Sequence, residues 1–65
     1  MNKIINLKNF YINIDEILFI EINERFLYVD INFKNGKIVT LNIKEEEIEN
    51  IKKEIINEGI ESKIN

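Results

Sequence analysis

Neither cysteine nor histidine occurs in this 65-residue chain, and arginine occurs once, at Arg25. Without cysteine no disulfide can staple the fold, and without either residue a structural zinc site of the usual kind is excluded. A chain this short must then rely on good packing, self-association or a partner. The same two absences rule out Ser-His-Asp and Cys-His catalytic arrangements. Hydroxyls other than those of tyrosine are confined to Thr40 and Ser62, neither beside a recognisable base. Paired carboxylates at Asp15-Glu16 and Glu45-Glu46-Glu47 are the remaining acid and base material, but sequence neighbours on a strand or helix point in different directions. The chain is therefore expected to be no enzyme and to carry no cofactor. The same carboxylates could hold Mg²⁺ or Ca²⁺, yet no EF-hand spacing is present, and solvated charge at a turn and a helix start accounts for them, so no metal site is expected. Lys34-Asn35-Gly36-Lys37 could touch phosphate, but one glycine makes no P-loop and turn chemistry explains all four residues.

Long apolar runs are also missing. No stretch approaches the roughly 18 to 20 residues of a membrane span, and the N-terminus shows no secretory apolar core, so the expectation is a soluble cytoplasmic protein without a membrane role. Formal net charge is −3 and the isoelectric point about 4.9. Direct nucleic-acid binding calls for a basic footprint, which is absent here. A protein partner with a basic surface, including one that normally holds nucleic acid, is easier to accommodate electrostatically.

What the chain does have is isoleucine (16), asparagine (11) and lysine (8), residues whose codons are mainly A and T. This reads first as the mutational bias of an AT-rich genome; isoleucine also raises strand propensity and supplies stiff core side chains. From Ile17 to Ile43 apolar and polar residues alternate with the period of a half-buried strand. Leu27, Val29, Ile31 and Phe33 are in phase, and so are Val39, Leu41 and Ile43. Asn35-Gly36 suggests a two-residue turn, but that loop would set Ile31 against Thr40 and mix the faces. A three-residue loop, Lys34 to Gly36, with Gly36 left-handed in a bulge, sets Ile31 against Val39, Val29 against Leu41 and Leu27 against Ile43. Upstream, a turn at Glu24-Arg25 is expected to place Ile22 opposite Leu27, Ile20 opposite Val29 and Leu18 opposite Ile31.

After Ile43 the period changes. Lys44 to Glu58 is rich in helix formers, and Ile48, Ile51, Ile55 and Ile56 follow helical spacing. Glu45-Glu46-Glu47 complements the positive end of the helix, Asn42 or Lys44 could cap it, and Glu49 and Lys53 suit an i, i+4 pair. Gly59 is placed to stop the helix and return Ile60 onto Ile55. Before the alternating region, Ile4 to Leu7 and Phe10 to Ile14 read as short strands. Asp15-Glu16 then closes a tight hairpin or makes a brief helical step. Ser62 to Asn65 is expected to fray. The whole chain, residues 1–65, reads as one α+β domain: an antiparallel β-meander of four to five strands, with one C-terminal helix packed on one face.

One helix covers only one sheet face, and this register leaves Phe19, Phe26, Tyr28 and Ile38 on the other, among Glu21, Asp30, Asn32 and Thr40. Aromatics on a wet face are the material of interface cores. The alternatives are that the N-terminal strands fold over them, or that they pair across strands and stiffen the sheet. A second candidate surface is the acidic stripe of Glu47, Glu54, Glu58 and Glu61, suited to a basic partner.

The run Phe10-Tyr11-Ile12-Asn13-Ile14-Asp15-Glu16-Ile17-Leu18-Phe19-Ile20-Glu21, followed by Asn35-Gly36-Lys37 and an acidic helix, resembles the small flagellar motility family FlbD or SwrD. Its members share an Asn-x-Asp-x-Ile-x-x-Ile-Glu stretch, an Asn-Gly hairpin and a closing helix. They differ in a glycine-containing first hairpin, where this chain has Asn6-Leu7-Lys8-Asn9, and in a shorter middle connection than Asn23 to Phe26. The resemblance implies a motility accessory protein. Composition and surface point instead to a non-catalytic binding protein, of the kind phages and mobile elements use as inhibitors. Its most concrete form is an anti-CRISPR-like inhibitor that occludes a nucleic-acid-handling host protein. A homodimer through the aromatic face is the third expectation.

Overall fold

Strict alternation makes the strands, and the computed structural model, which describes residues 3–65, shows where each one pairs. Among the described residues there are six strands in two sheets and one C-terminal helix, an α+β arrangement. β1 (Ile4–Leu7) and β2 (Phe10–Asn13) form an antiparallel hairpin. Lys8 and Asn9 close it with φ of 49° and 71°, two consecutive left-handed residues as a type I′ turn requires. A 3-10 turn, Ile14–Glu16, leads out of β2, with Asn13 Oδ1 accepting the Asp15 N–H at 3.0 Å. The brief helical step is therefore the form that the Asp15-Glu16 connection takes.

The second sheet contains β3 (Ile17–Asn23), β4 (Tyr28–Phe33), β5 (Ile38–Asn42) and β6 (Ser62–Ile64), in the order β5-β4-β3-β6. The β4–β5 hairpin has the expected register, Ile31 opposite Val39 and Val29 opposite Leu41. Gly36, at φ 92°, donates its N–H to Phe33 O, and Phe33 N–H donates to Lys37 O, which together define the three-residue loop with its bulge. Between β3 and β4 the register is two residues away from the expectation. Ile22 faces Val29 and Ile20 faces Ile31, because the turn spans Glu24 to Leu27 rather than Glu24-Arg25 alone. Asn23 Oδ1 accepts the Phe26 N–H at 2.9 Å, and Leu27 closes the turn at φ 57°, a conformation that costs a branched, bulky residue about 1 to 2 kcal/mol. Leu27 still packs on the core, and its carbonyl accepts from Ile43 N–H at 3.0 Å.

A bulge between Ile17 and Phe19 removes Leu18 from the ladder. Ile17 is buried in its place and Leu18 is 54% exposed, so Leu18 does not oppose Ile31. The C-terminal segment is also ordered into the sheet. β6 pairs parallel to β3, Ile20 with Ser62 and Ile22 with Ile64, where fraying was expected. The sheet is thus mixed, and the first hairpin stands apart from it; a single antiparallel meander describes only β3 to β5.

The helix α1 (Ile48–Asn57) is entered through a 3-10 turn at Glu45–Glu47. Lys44 has no acceptor on its side chain, so the start is held from the other side: the Glu47 carboxylate accepts the Lys44 N–H at 2.7 Å. At the far end Gly59, at φ 70°, donates to Ile56 O while Ile60 N–H reaches Ile55 O, a Schellman motif. Ile48, Ile51 and Ile55 are buried, whereas Ile56 lies 70% exposed and does not join the packed face. These three, with Ile5 and Leu7 from the hairpin, meet Ile17, Ile20, Ile22, Val29, Ile31, Leu41 and Ile43 in one core. Hairpin and helix therefore share one side of the sheet. Lys52 pairs with Glu24 at 3.2 Å and Glu49 at 3.9 Å, in place of the expected Glu49 to Lys53 pair.

Candidate protein-binding face

With both covering elements on one side, the other side of the sheet has nothing packed over it among the described residues. Its side chains stand in three rows running across the strands. Asn42, Tyr28 and Asn23 form the first, Thr40, Asp30, Glu21 and Lys63 the second, and Ile38, Asn32 and Phe19 the third. None of these ten is buried. Of the sequence alternatives, cover by the N-terminal strands is excluded, since Ile5 and Leu7 belong to the core on the opposite side.

Local chemistry holds the rows in place. Asn23 donates its amide N–H to the Tyr28 hydroxyl at 3.2 Å and, by accepting the Phe26 N–H on its Oδ1, fixes the turn that carries Phe26. Phe26 projects from that turn 67% exposed, with the Arg25 guanidinium 5.3 Å from its ring centre. Phe19 carries the Lys63 ammonium 5.1 Å from its ring centre. Ile38, on the edge strand, is 60% exposed. The four apolar residues singled out in the sequence thus lie on or beside one open face.

Between the aromatic rows sits a feature the sequence reading missed. Glu21 and Asp30 are direct cross-strand partners. Like charges placed so oppose one another and destabilise the sheet. Asp30 accepts the Thr40 hydroxyl at 2.6 Å and Glu21 accepts the Asn65 side-chain amide, but neither carboxylate has an ion-pair partner within 4 Å among the described residues. The register expected from the sequence would have set Glu21 beside Tyr28 instead. The signal lay in Asn23, whose side chain can cap a longer turn.

Glu47, Glu54 and Glu58 do not join this face. They belong to the helix and its lead-in turn, on the other side of the sheet, so aromatic anchors and helix carboxylates form two surfaces. Glu47 is engaged locally: the Lys44 N–H and the Lys8 ammonium, 3.5 Å away, hold its carboxyl below the usual glutamate range. Glu47 and Glu54 line a cleft of about 160 Å³ with Asn6, Leu7, Lys8, Asn50 and Ile51. A second cleft, about 220 Å³, lies among Asp15, Glu16, Lys34 and Asn35. Both fall below the roughly 300 Å³ at which ligand pockets begin. Among the described residues no group of three or more Asp or Glu side chains converges as a metal site would need, and no helix is long and apolar enough to cross a membrane. Compared with protein-family models, curated proteins and solved structures, the chain matches none.

Proposed function

We propose that this chain is a non-catalytic protein-binding module that docks a basic partner on the open face of its sheet. Phe19, Tyr28, Ile38 and the turn-borne Phe26 serve as apolar anchors, and Glu21 and Asp30 receive a cationic side chain between them. The facing Glu21–Asp30 pair carries this reading. A lysine or arginine inserted there would relieve the repulsion, while its stem packs along Phe19 or Tyr28, so binding gains from a cost the unbound fold bears. The net charge of −3 adds long-range attraction toward a basic surface. A surface that normally holds nucleic acid has that character, and an inhibitor of the phage or mobile-element kind would act by occluding it.

The experiment is quantitative affinity capture from lysate of the source organism, comparing the native chain with Phe26→Ser and with the paired change Glu21→Gln, Asp30→Asn. A stoichiometric partner that is retained by the native chain and lost by both variants, with circular dichroism unchanged, is the expected result. Undiminished capture by both would overturn the assignment.

A further inference from the structure

Strand β5 is one edge of the sheet, and its backbone is only half used. Phe33 N–H bonds to Lys37 O at 2.9 Å and Ile43 N–H to Leu27 O at 3.0 Å, with Ile31–Val39 and Val29–Leu41 paired between them. In an antiparallel ladder this spacing turns the odd-numbered residues of β5 inward to β4 and the backbone groups of Ile38, Thr40 and Asn42 outward. The Asn42 carbonyl is already taken by the Lys8 ammonium at 2.6 Å. The outward groups of Ile38 and Thr40 have no partner among the described residues, and beside them Val39 is 38% exposed on the core side of the edge.

Charge at the two ends of this strand selects what can pair with it. Lys34 and Lys37 stand at its start, and Lys44, Glu45 and Glu46 follow its end with a net negative charge; Lys8, also at that end, is committed to Glu47. A parallel copy of β5 would set like charges together. An antiparallel copy sets each basic end against an acidic one. Unpaired edges are a hazard that proteins either block or use, and here only the Asn42 end is blocked.

We infer that β5 pairs antiparallel with β5 of a second copy, about a twofold axis through Val39. In that register Ile38 bonds to Thr40 of the partner and Thr40 to its Ile38, four backbone hydrogen bonds that leave the Lys8–Asn42 contact intact. The alternative, centred on Thr40, would need the occupied Asn42 carbonyl. The two valines at the axis cover each other, and two four-stranded sheets become one. Because the axis runs perpendicular to the sheet, both open faces lie on the same side. The pairing uses a different surface from the proposed docking face and does not rest on it.

Sedimentation equilibrium across the micromolar range tests this. The native chain should reach twice its 7.8 kDa mass. Thr40→Pro removes an outward N–H that the internal ladder does not use, an edge position where proline is tolerated, and should be monomeric. Thr40→Val loses the same hydroxyl but keeps the N–H, and should remain dimeric. Lys34→Glu with Lys37→Glu should raise the dimer dissociation constant roughly tenfold, and adding Glu45→Lys with Glu46→Lys should restore it. Phe26→Ser should leave the mass unchanged. A native chain that stays monomeric throughout, a charge reversal without effect, or a dimer lost through Phe26→Ser would overturn the inference.

Discussion

Asp30→Asn should make this protein more stable while weakening its partner binding. Asn keeps an oxygen to accept the Thr40 hydroxyl, so the change removes charge and little else. Direct cross-strand partners have Cβ atoms about 5 Å apart, and flexible carboxylates splay to about 6 Å. Two such charges in a water-like medium repel by about 0.7 kcal/mol, and a screening length of about 8 Å at physiological salt roughly halves that. A gain near 0.35 kcal/mol corresponds to about 1.5 to 3 °C in the thermal midpoint of a domain this size. Glu21→Gln should gain less, because Lys63 stands next to Glu21 across the β3–β6 pair and its attraction is lost with the charge. Thermal unfolding followed by circular dichroism reads both. The gain should shrink markedly at about 1 M salt, where the screening length falls to about 3 Å. A loss of stability, or a gain indifferent to salt, would refute the view that the pair is a repulsion held for binding.

Two further outcomes follow from the backbone and the helix start. Leu27→Gly should be more stable than Leu27→Ala by about 1 kcal/mol in urea unfolding, the reverse of the usual order, because both lose the same packing but only glycine relaxes the left-handed backbone. Glu47 has a folded-state pKa below its unfolded value, so its contribution is fully present above the ordinary glutamate range and is lost as pH falls through the lower folded value. Amide exchange at Lys44 and in the first turn of α1 should accelerate in that acidic window, and Glu47→Gln should abolish the pH dependence there.

The β4–β5 hairpin was legible residue by residue because Gly36 offered one loop that kept both faces consistent. The helix stop was legible for the same kind of reason, since Gly59 sits where Ile60 can return to the core. The β3–β4 register was not legible. It depends on Leu27 adopting a backbone conformation that leucine disfavours, and local preference gives no warning of that. The bulge at Leu18 is hidden likewise, because Ile17 and Leu18 are equally apolar and only the packing chooses between them. Ser62-Lys63-Ile64 carries no pattern of its own; it becomes a strand because β3 presents an open edge where the helix returns the chain. Of the candidate site, the aromatic residues followed from phase alone, but their neighbours across the sheet required the true register. That is why the Glu21–Asp30 contact emerged only from the structure, whereas the helix carboxylates, read from their spacing as a second surface, lie on the opposite side of the sheet from the aromatic residues.

The parallel pairing of β6 with β3 ties Ile20 to Ser62. Joining partners so far apart along the chain is slow, since the entropy of closing the intervening loop is lost before any contact compensates. During synthesis the flank of β3 has to wait, bare, until residues 62–64 have left the ribosome. A nascent chain stalled before that point would hold the β3–β5 core with one side unsealed, and would meet chaperones, or other copies of itself, in that state.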